Sequence, residues 1–135
     1  MKARILIADD DAPIRGLLRR LLEEDPDWKI CGEAVDGEDA VAQVLELNPD
    51  VAVLDLAMPQ MNGLQAGRRI SAVKPGLPMV LLTVQGLSTE LLEQARLAGF
   101  RGAVSKRRGT EVVDAVKILL EKQGFFALGA TDLAS

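Results

Sequence analysis

The sequence contains no histidine and only one cysteine, Cys31, among its 135 residues. Any chemistry of this chain must therefore proceed without an imidazole of its own. A single cysteine cannot form a disulfide within the chain, and we expect Cys31 to be buried as a small hydrophobic residue. No apolar run approaches the ~18 residues of a membrane-spanning helix, and acids interrupt the N-terminal run where a signal peptide needs its apolar core. We therefore expect a cytoplasmic protein that makes no membrane contact.

The chain also lacks an excess of positive charge, since its net charge is -4. Such a balance disfavours sequence-independent binding to phosphates, so we expect no direct nucleic acid contact by this chain. The short basic run at residues 106–108 is more typical of a solvated helix end. Hydrophobic residues make up 48% of the sequence, which is enough for a core, and 135 residues suit one domain.

Short aliphatic runs alternate with helical patterns five times along the chain. The runs show no polar alternation, which is typical of strands buried on both faces of a parallel sheet. They span residues 4–8, 28–34, 51–54, 78–82 and 102–105. The sequence therefore predicts an α/β fold with helices on both faces of the sheet. The last twelve residues, GFFALGATDLAS, fit neither pattern, so we divide the chain into a domain of residues 1–123 and a tail or linker start at 124–135.

Polar side chains follow four of the five predicted strands. They are Asp9 and Asp10, Asp55, Thr83 and Lys106. Because the carboxyl ends of strands in an open α/β sheet meet at one edge, we expect these side chains to converge. Each has a structural explanation when it is taken alone, as a cap, a turn residue or a solvated charge. Together they indicate a site.

Three converging carboxylates, from Asp9, Asp10 and Asp55, would face the single positive charge of Lys106. Without relief, their repulsion would destabilise the fold, and a divalent cation would relieve it. The candidate ligands are all oxygens, which favours Mg²⁺ or Mn²⁺ over Zn²⁺. We expect Asp9 and Asp10 to form the metal site, whereas the adjacent Asp11 is better placed to cap the first helix.

Asp55 ends the most apolar strand and is the candidate nucleophile toward phosphorus, forming an aspartyl phosphate. Lys106 and Thr83 are suited to hold the phosphoryl oxygens, by charge and by a hydroxyl hydrogen bond. Phosphoryl transfer depends mainly on positioning and charge neutralisation, so these few groups are sufficient.

With these residues in order, the chain resembles the receiver domain of bacterial response regulators over about residues 3–123. The resemblance rests on ILIADDDAPIRGLLRRLLE, GEAVDGEDAV, PDVAVLDLAMPQMNGL, LLT at 81–83 and SK at 105–106. Within the family, the sequence is most similar to regulators that carry a C-terminal helix-turn-helix DNA-binding domain of the LuxR type.

The resemblance implies a flavodoxin-like (βα)5 fold with a five-stranded parallel sheet in the order 2-1-3-4-5. It implies that a sensor histidine kinase donates a phosphoryl group to Asp55 in a two-component phosphorelay. It also implies that Mg²⁺ is held by Asp9, Asp10, Asp55 and the backbone carbonyl of Ala57. The chain would act as a phosphorylated switch rather than as an enzyme. Output would regulate transcription through a DNA-binding domain absent from this chain, by way of a homodimer.

Two positions depart from the family pattern. Ala103 stands where the family usually has Tyr or Phe, and Arg107 stands where it usually has Pro. Neither position touches the phosphoryl group, so we expect phosphorylation to persist and the output step to differ.

Two other functions fit parts of the sequence. The start of the acidic run resembles that of haloacid-dehalogenase-type phosphatases, but Pro13 replaces their usual Thr or Val, and the later acidic pair is missing. A receiver-like interaction module that takes no phosphoryl group is supported only by Ala103.

Overall fold

The computed structural model describes residues 2–105, 110–121 and 124–129. Along the chain, β1 (Ala3–Ala8), α1 (Ala12–Leu22), β2 (Trp28–Ala34), α2 (Gly37–Leu47), β3 (Val51–Asp55), α3 (Gly63–Val73), β4 (Met79–Thr83), α4 (Thr89–Leu97), β5 (Gly102–Ser105), α5 (Thr110–Leu120) and β6 (Phe126–Leu128) follow one another. The strands form one sheet in the order β2-β1-β3-β4-β5-β6, and every pair is parallel. The flavodoxin-like fold and the order 2-1-3-4-5 are therefore confirmed, with a sixth strand added. No helix in the described residues is long and apolar enough to cross a membrane.

The sheet is covered on both faces because successive strand residues point to opposite sides. Helices α2, α3 and α4 pack on one face, whereas α1 and α5 pack on the other. The first core includes Leu6, Leu54, Leu81, Val44, Ile70 and Ala95. The second core includes Ile5, Val53, Leu82, Leu18, Val116 and Leu119. The wholly buried strands β3 and β4 explain why the sequence shows no polar alternation there.

Helices α1, α2, α3 and α4 begin where a side chain accepts one of their free N–H groups. Asp11 accepts the N–H of Ile14 at the start of α1, which confirms the predicted cap. Asn62 and Gln65 form a reciprocal capping box at the start of α3. Ser88 caps α4, so the role of capping that helix does not fall to Thr83.

Cys31 is half-buried rather than fully buried, contrary to the sequence-based prediction. The strand that carries it, β2, lies at the sheet edge, and its register with β1 shifts between Ile5 and Leu6. Cys31 falls at this irregularity, between the paired residues Ile30 and Gly32. Burial raises the pKa of its thiol above the usual range, which makes the thiolate scarce at neutral pH.

The sixth strand was not predicted, because sequence analysis placed its residues in a patternless tail. β6 pairs with β5 in the register Gly102–Phe126, Ala103–Ala127 and Val104–Leu128. The ring of Phe126 packs directly against Gly102, where a side chain would leave no room for it. Beside it, the guanidinium of Arg96 lies 5.7 Å from the centre of the Phe125 ring, within cation–π range. These contacts attach the segment to the domain.

We expect Gly102→Ala to destabilise the protein by about 1–2 kcal/mol, since the added methyl group collides with the Phe126 ring. Urea unfolding followed by circular dichroism measures the effect. The matched control is Gly16→Ala in α1, where nothing lies within 4 Å of the added Cβ. Alanine is the better helix former, so this control should gain up to about 1 kcal/mol. Equal stability of the Gly102→Ala variant and the parent would contradict a stabilising contact between β6 and β5.

Candidate functional site

Three carboxylates meet at the carboxyl edge of the sheet. Asp9 and Asp10 directly follow β1, Asp55 is the last residue of β3, and these strands are neighbours with Ala8 opposite Leu54. One carboxylate oxygen from each aspartate lies within 4.8 Å of the others. Asp9 and Asp55 are 1% and 6% exposed, whereas Asp10 faces solvent. We call Asp9, Asp10 and Asp55 the acidic cluster.

Asp9 is held through its backbone and its side chain. Its N–H donates to the carbonyl of Ala34 on β2 at 3.0 Å. Its carbonyl accepts from the guanidinium of Arg15 at 2.7 Å, and its carboxylate accepts the N–H of Asp11 at 2.9 Å. The Asp9 carboxylate is therefore fixed relative to β1, β2 and α1.

The position of Asp55 is set by close packing behind it. β3 is buried along its whole length, and Gly63 at the start of α3 lies against the backbone carbonyl of Asp55. A Cβ at position 63 would overlap that carbonyl oxygen, which explains the need for glycine. The N–H of Gly63 also donates to the carbonyl of Leu56 at 2.9 Å, so the loop returns to the strand end.

One residue in the loop between β3 and α3 has a strained backbone conformation. Gln60 has a φ of 67°, a left-handed conformation that is uncommon for residues other than glycine. Around it, the N–H of Met61 donates to the carbonyl of Pro59 at 2.7 Å. Ala57, in the same loop, lines the same cleft as the acidic cluster.

Thr83 lies at the end of β4, the strand next to β3, one residue beyond the position paired with Asp55. It is 2% exposed, and its hydroxyl oxygen accepts the N–H of Gln85 at 3.0 Å. In register it stands beside Ser105, the last residue of β5. The next residue, Lys106, and the departure at Arg107 lie outside the described residues.

The cleft over the acidic cluster has a volume of about 410 Å³. Asp11, Ile14, Ala57 and Val84 complete its walls. A water molecule occupies about 30 Å³ in the liquid, so the cleft has room for a hydrated ion and a phosphoryl group.

The ligand set of the cluster fits a hard divalent cation. All its side-chain donors are carboxylate oxygens, and no histidine exists in the chain. Mg²⁺ is commonly held by one or two carboxylates with several waters, and an exposed Asp10 leaves room for those waters. The chemistry of the ligand set therefore fits Mg²⁺.

A second group of charges, which was not predicted from the sequence, lies next to the backbone of Asp9. The carboxylate of Glu33 on β2 accepts a hydrogen bond from the Nε of Arg19 at 2.7 Å and another from the Nε of Arg15 at 3.1 Å. Both arginines lie on α1. The hydrogen bond from Arg19, and then that from Arg15, holds the pKa of Glu33 below its usual range, against the opposing effect of burial. The signal available in the sequence is the spacing of four between Arg15 and Arg19, which places both on one helical face.

The sequence is similar to known proteins that contain a receiver domain. The response regulator receiver domain family matches residues 5–117. A protein-glutamate methylesterase/protein-glutamine glutaminase of Geobacter metallireducens is 37% identical over 87% of this chain and 37% of its own length. A second such protein, from Carboxydothermus hydrogenoformans, is 37% identical over 96% of this chain and 39% of its own. The chain thus spans about two fifths of the length of these relatives.

Solved structures show the same fold. A LuxR-family two-component response regulator from Aurantimonas sp. SI85-9A1 superposes with a TM-score of 0.87 at 29% identity, covering 99% of this chain and 94% of that one. The response regulator domain of Thermotoga maritima CheB gives 0.72 at 28% identity, covering 90% and 91%. This chain therefore belongs to the family of response regulator receiver domains.

Proposed function

We propose that this chain is a phosphoacceptor switch in which Asp55 takes a phosphoryl group from a sensor histidine kinase in the presence of Mg²⁺. The observation that carries the proposal is the convergence of three carboxylates, two of them buried, with Asp55 at the end of β3. Membership of the receiver domain family supports it.

The chain's own groups divide the work. Asp9, Asp10, Asp55 and the carbonyl of Ala57 would hold Mg²⁺, which would neutralise negative charge on the carboxylate and phosphoryl oxygens. A carboxylate oxygen of Asp55 attacks phosphorus while the bond from phosphorus to the donor histidine nitrogen breaks. Hydrogen bonds to Ala34, Asp11 and Arg15 hold Asp9 in place, so little reorganisation is needed during transfer.

Thr83 and Lys106 would then hold the new phosphoryl group. The hydroxyl oxygen of Thr83 accepts the N–H of Gln85, and its own hydrogen can be donated to a phosphoryl oxygen. The positive charge of Lys106 would neutralise negative charge on a second phosphoryl oxygen. Pulling Thr83 toward Asp55 shifts the loop that begins at Val84, which transmits the modification to the surface around α4.

Two outputs are supported for this switch. Regulation of transcription through a helix-turn-helix domain is supported by the LuxR-family structure, and a homodimer would then align two DNA-binding domains. Control of a methylesterase is supported by the relatives from Geobacter and Carboxydothermus. Ala103 is buried and paired with Ala127, and its methyl group provides no aromatic ring that could rotate at this position.

The test is incubation with acetyl phosphate and Mg²⁺, with intact mass and sedimentation as the two measurements. We expect the intact mass to rise by the mass of one phosphoryl group. Because position 103 lacks an aromatic ring, we expect phosphorylation to change the free energy of self-association by less than the ~1–3 kcal/mol typical of allosteric coupling.

The two measurements separate the outputs. A strong conversion from monomer to dimer would favour a DNA-binding output, whereas a monomer in both states would favour control of an enzyme. Absence of any mass increase, with acetyl phosphate and with a histidine kinase alike, would refute the proposal. Continuous release of phosphate from a phosphate ester would indicate a phosphatase instead.

A further inference from the structure

Arg15 makes two contacts that join three elements behind the acidic cluster. From α1, its Nε donates to Glu33 on β2 at 3.1 Å, and another nitrogen of the same guanidinium donates to the carbonyl of Asp9 at 2.7 Å. The side chain is 14% exposed, so both contacts are largely shielded from water. A planar guanidinium can satisfy two acceptors in fixed directions, which an ammonium cannot do with the same geometry.

We propose that Arg15 is a positioning residue for the metal site, acting by holding the backbone of Asp9. This inference rests on the proposed role of Asp9 as a metal ligand. Asp9 is 1% exposed and follows the last residue of β1, so a shift of its backbone moves its carboxylate directly. Groups that orient metal ligands from behind commonly contribute ten- to a hundredfold to metal affinity.

Charge and position make opposite contributions at this site. The positive charge of Arg15 disfavours a nearby cation, but Glu33 lies against it and offsets that charge. Loss of the charge alone would thus strengthen Mg²⁺ binding slightly, whereas loss of the hold on Asp9 would weaken it. A substitution that keeps the charge therefore isolates the positioning effect.

Arg19 provides a matched control on the same helix. It also pairs with Glu33, at 2.7 Å, and with Glu23, at 3.7 Å. The Arg19 guanidinium contacts these carboxylates, whereas the Arg15 guanidinium also donates to the Asp9 carbonyl. A role limited to the ion pairs with Glu33 would affect both arginines alike.

The experiment compares Arg15→Lys with Arg19→Lys in the full chain, using Mg²⁺ alone in isothermal titration calorimetry. We expect Arg15→Lys to raise the Mg²⁺ dissociation constant about tenfold and Arg19→Lys to change it by less than twofold. Melting in EDTA reports the stability of each metal-free fold. Arg15→Gln is the second variant: we expect it to bind more weakly than the parent but less weakly than Arg15→Lys, because it removes the opposing charge.

Each outcome is decisive. A loss of about tenfold in Arg15→Lys and a smaller loss in Arg15→Gln, with less than a twofold change in Arg19→Lys and Mg²⁺ still bound by the parent, supports the inference. Equal losses in the two lysine variants, or a loss of melting temperature without a change in Mg²⁺ affinity, would overturn it and assign Arg15 a purely structural role. A parent chain that binds no Mg²⁺ would instead refute the proposed metal site itself, which distinguishes the two failures.

Discussion

Asp55→Asn will not gain the mass of a phosphoryl group when incubated with acetyl phosphate and Mg²⁺. An amide has nearly the shape of a carboxylate but is not a nucleophile toward phosphorus, so the loss should be complete rather than partial. Asp55 is 6% exposed within a wholly buried strand, and the isosteric replacement leaves no cavity. Intact mass spectrometry after a fixed incubation measures the result.

The matched control is Asp11→Asn, which makes the same chemical change at the adjacent end of the cleft. Asp11 caps α1 and is exposed, and its carboxylate is not a member of the acidic cluster. Asparagine caps a helix as well as aspartate does, so this variant should fold and take up phosphoryl groups like the parent. Equal labelling of Asp55→Asn and the parent would place the acceptor on another residue.

The elements that sequence predicted correctly depend on local information. A buried parallel strand needs an uninterrupted aliphatic run, and Val51 to Leu54 supplies one. A helix start needs a short polar cap, and Asp11 provides it. The convergence of Asp9, Asp10 and Asp55 followed from a rule of topology, that parallel strands share a carboxyl edge.

The features that sequence missed depend on partners far along the chain. β6 is only three residues long, and what fixes it is the fit of Phe126 against Gly102, which no local pattern reveals. The contact of Arg15 with the Asp9 carbonyl depends on the rotation of α1 over the sheet. Cys31 was predicted as buried because its neighbours are apolar, but its strand lies at the edge.

Mg²⁺ should stabilise the parent protein, and Asp10→Ala should remove most of that effect. A ligand that binds only the folded state stabilises it by about 1.4 kcal/mol at ten times its dissociation constant. For a domain of this size we expect a rise in melting temperature of about 3–6 °C. Asp10 is the exposed member of the acidic cluster, so its truncation removes a metal ligand without opening the core.

In the absence of Mg²⁺ the same substitution should act in the opposite direction. Three carboxylates whose oxygens lie within 4.8 Å of one another repel each other. Removing the exposed carboxylate of Asp10 abolishes two of the three repulsive interactions. Screening by water limits the gain to about 1 kcal/mol. Asp10→Ala should therefore melt above the parent in EDTA, and at or below the parent in saturating Mg²⁺. The control is Asp27→Ala, since Asp27 is an exposed aspartate in the turn before β2. This variant should melt like the parent in both conditions. Differential scanning fluorimetry with and without Mg²⁺ measures these melting temperatures. If Mg²⁺ raises the melting temperature of Asp10→Ala as much as that of the parent, Asp10 is not a ligand.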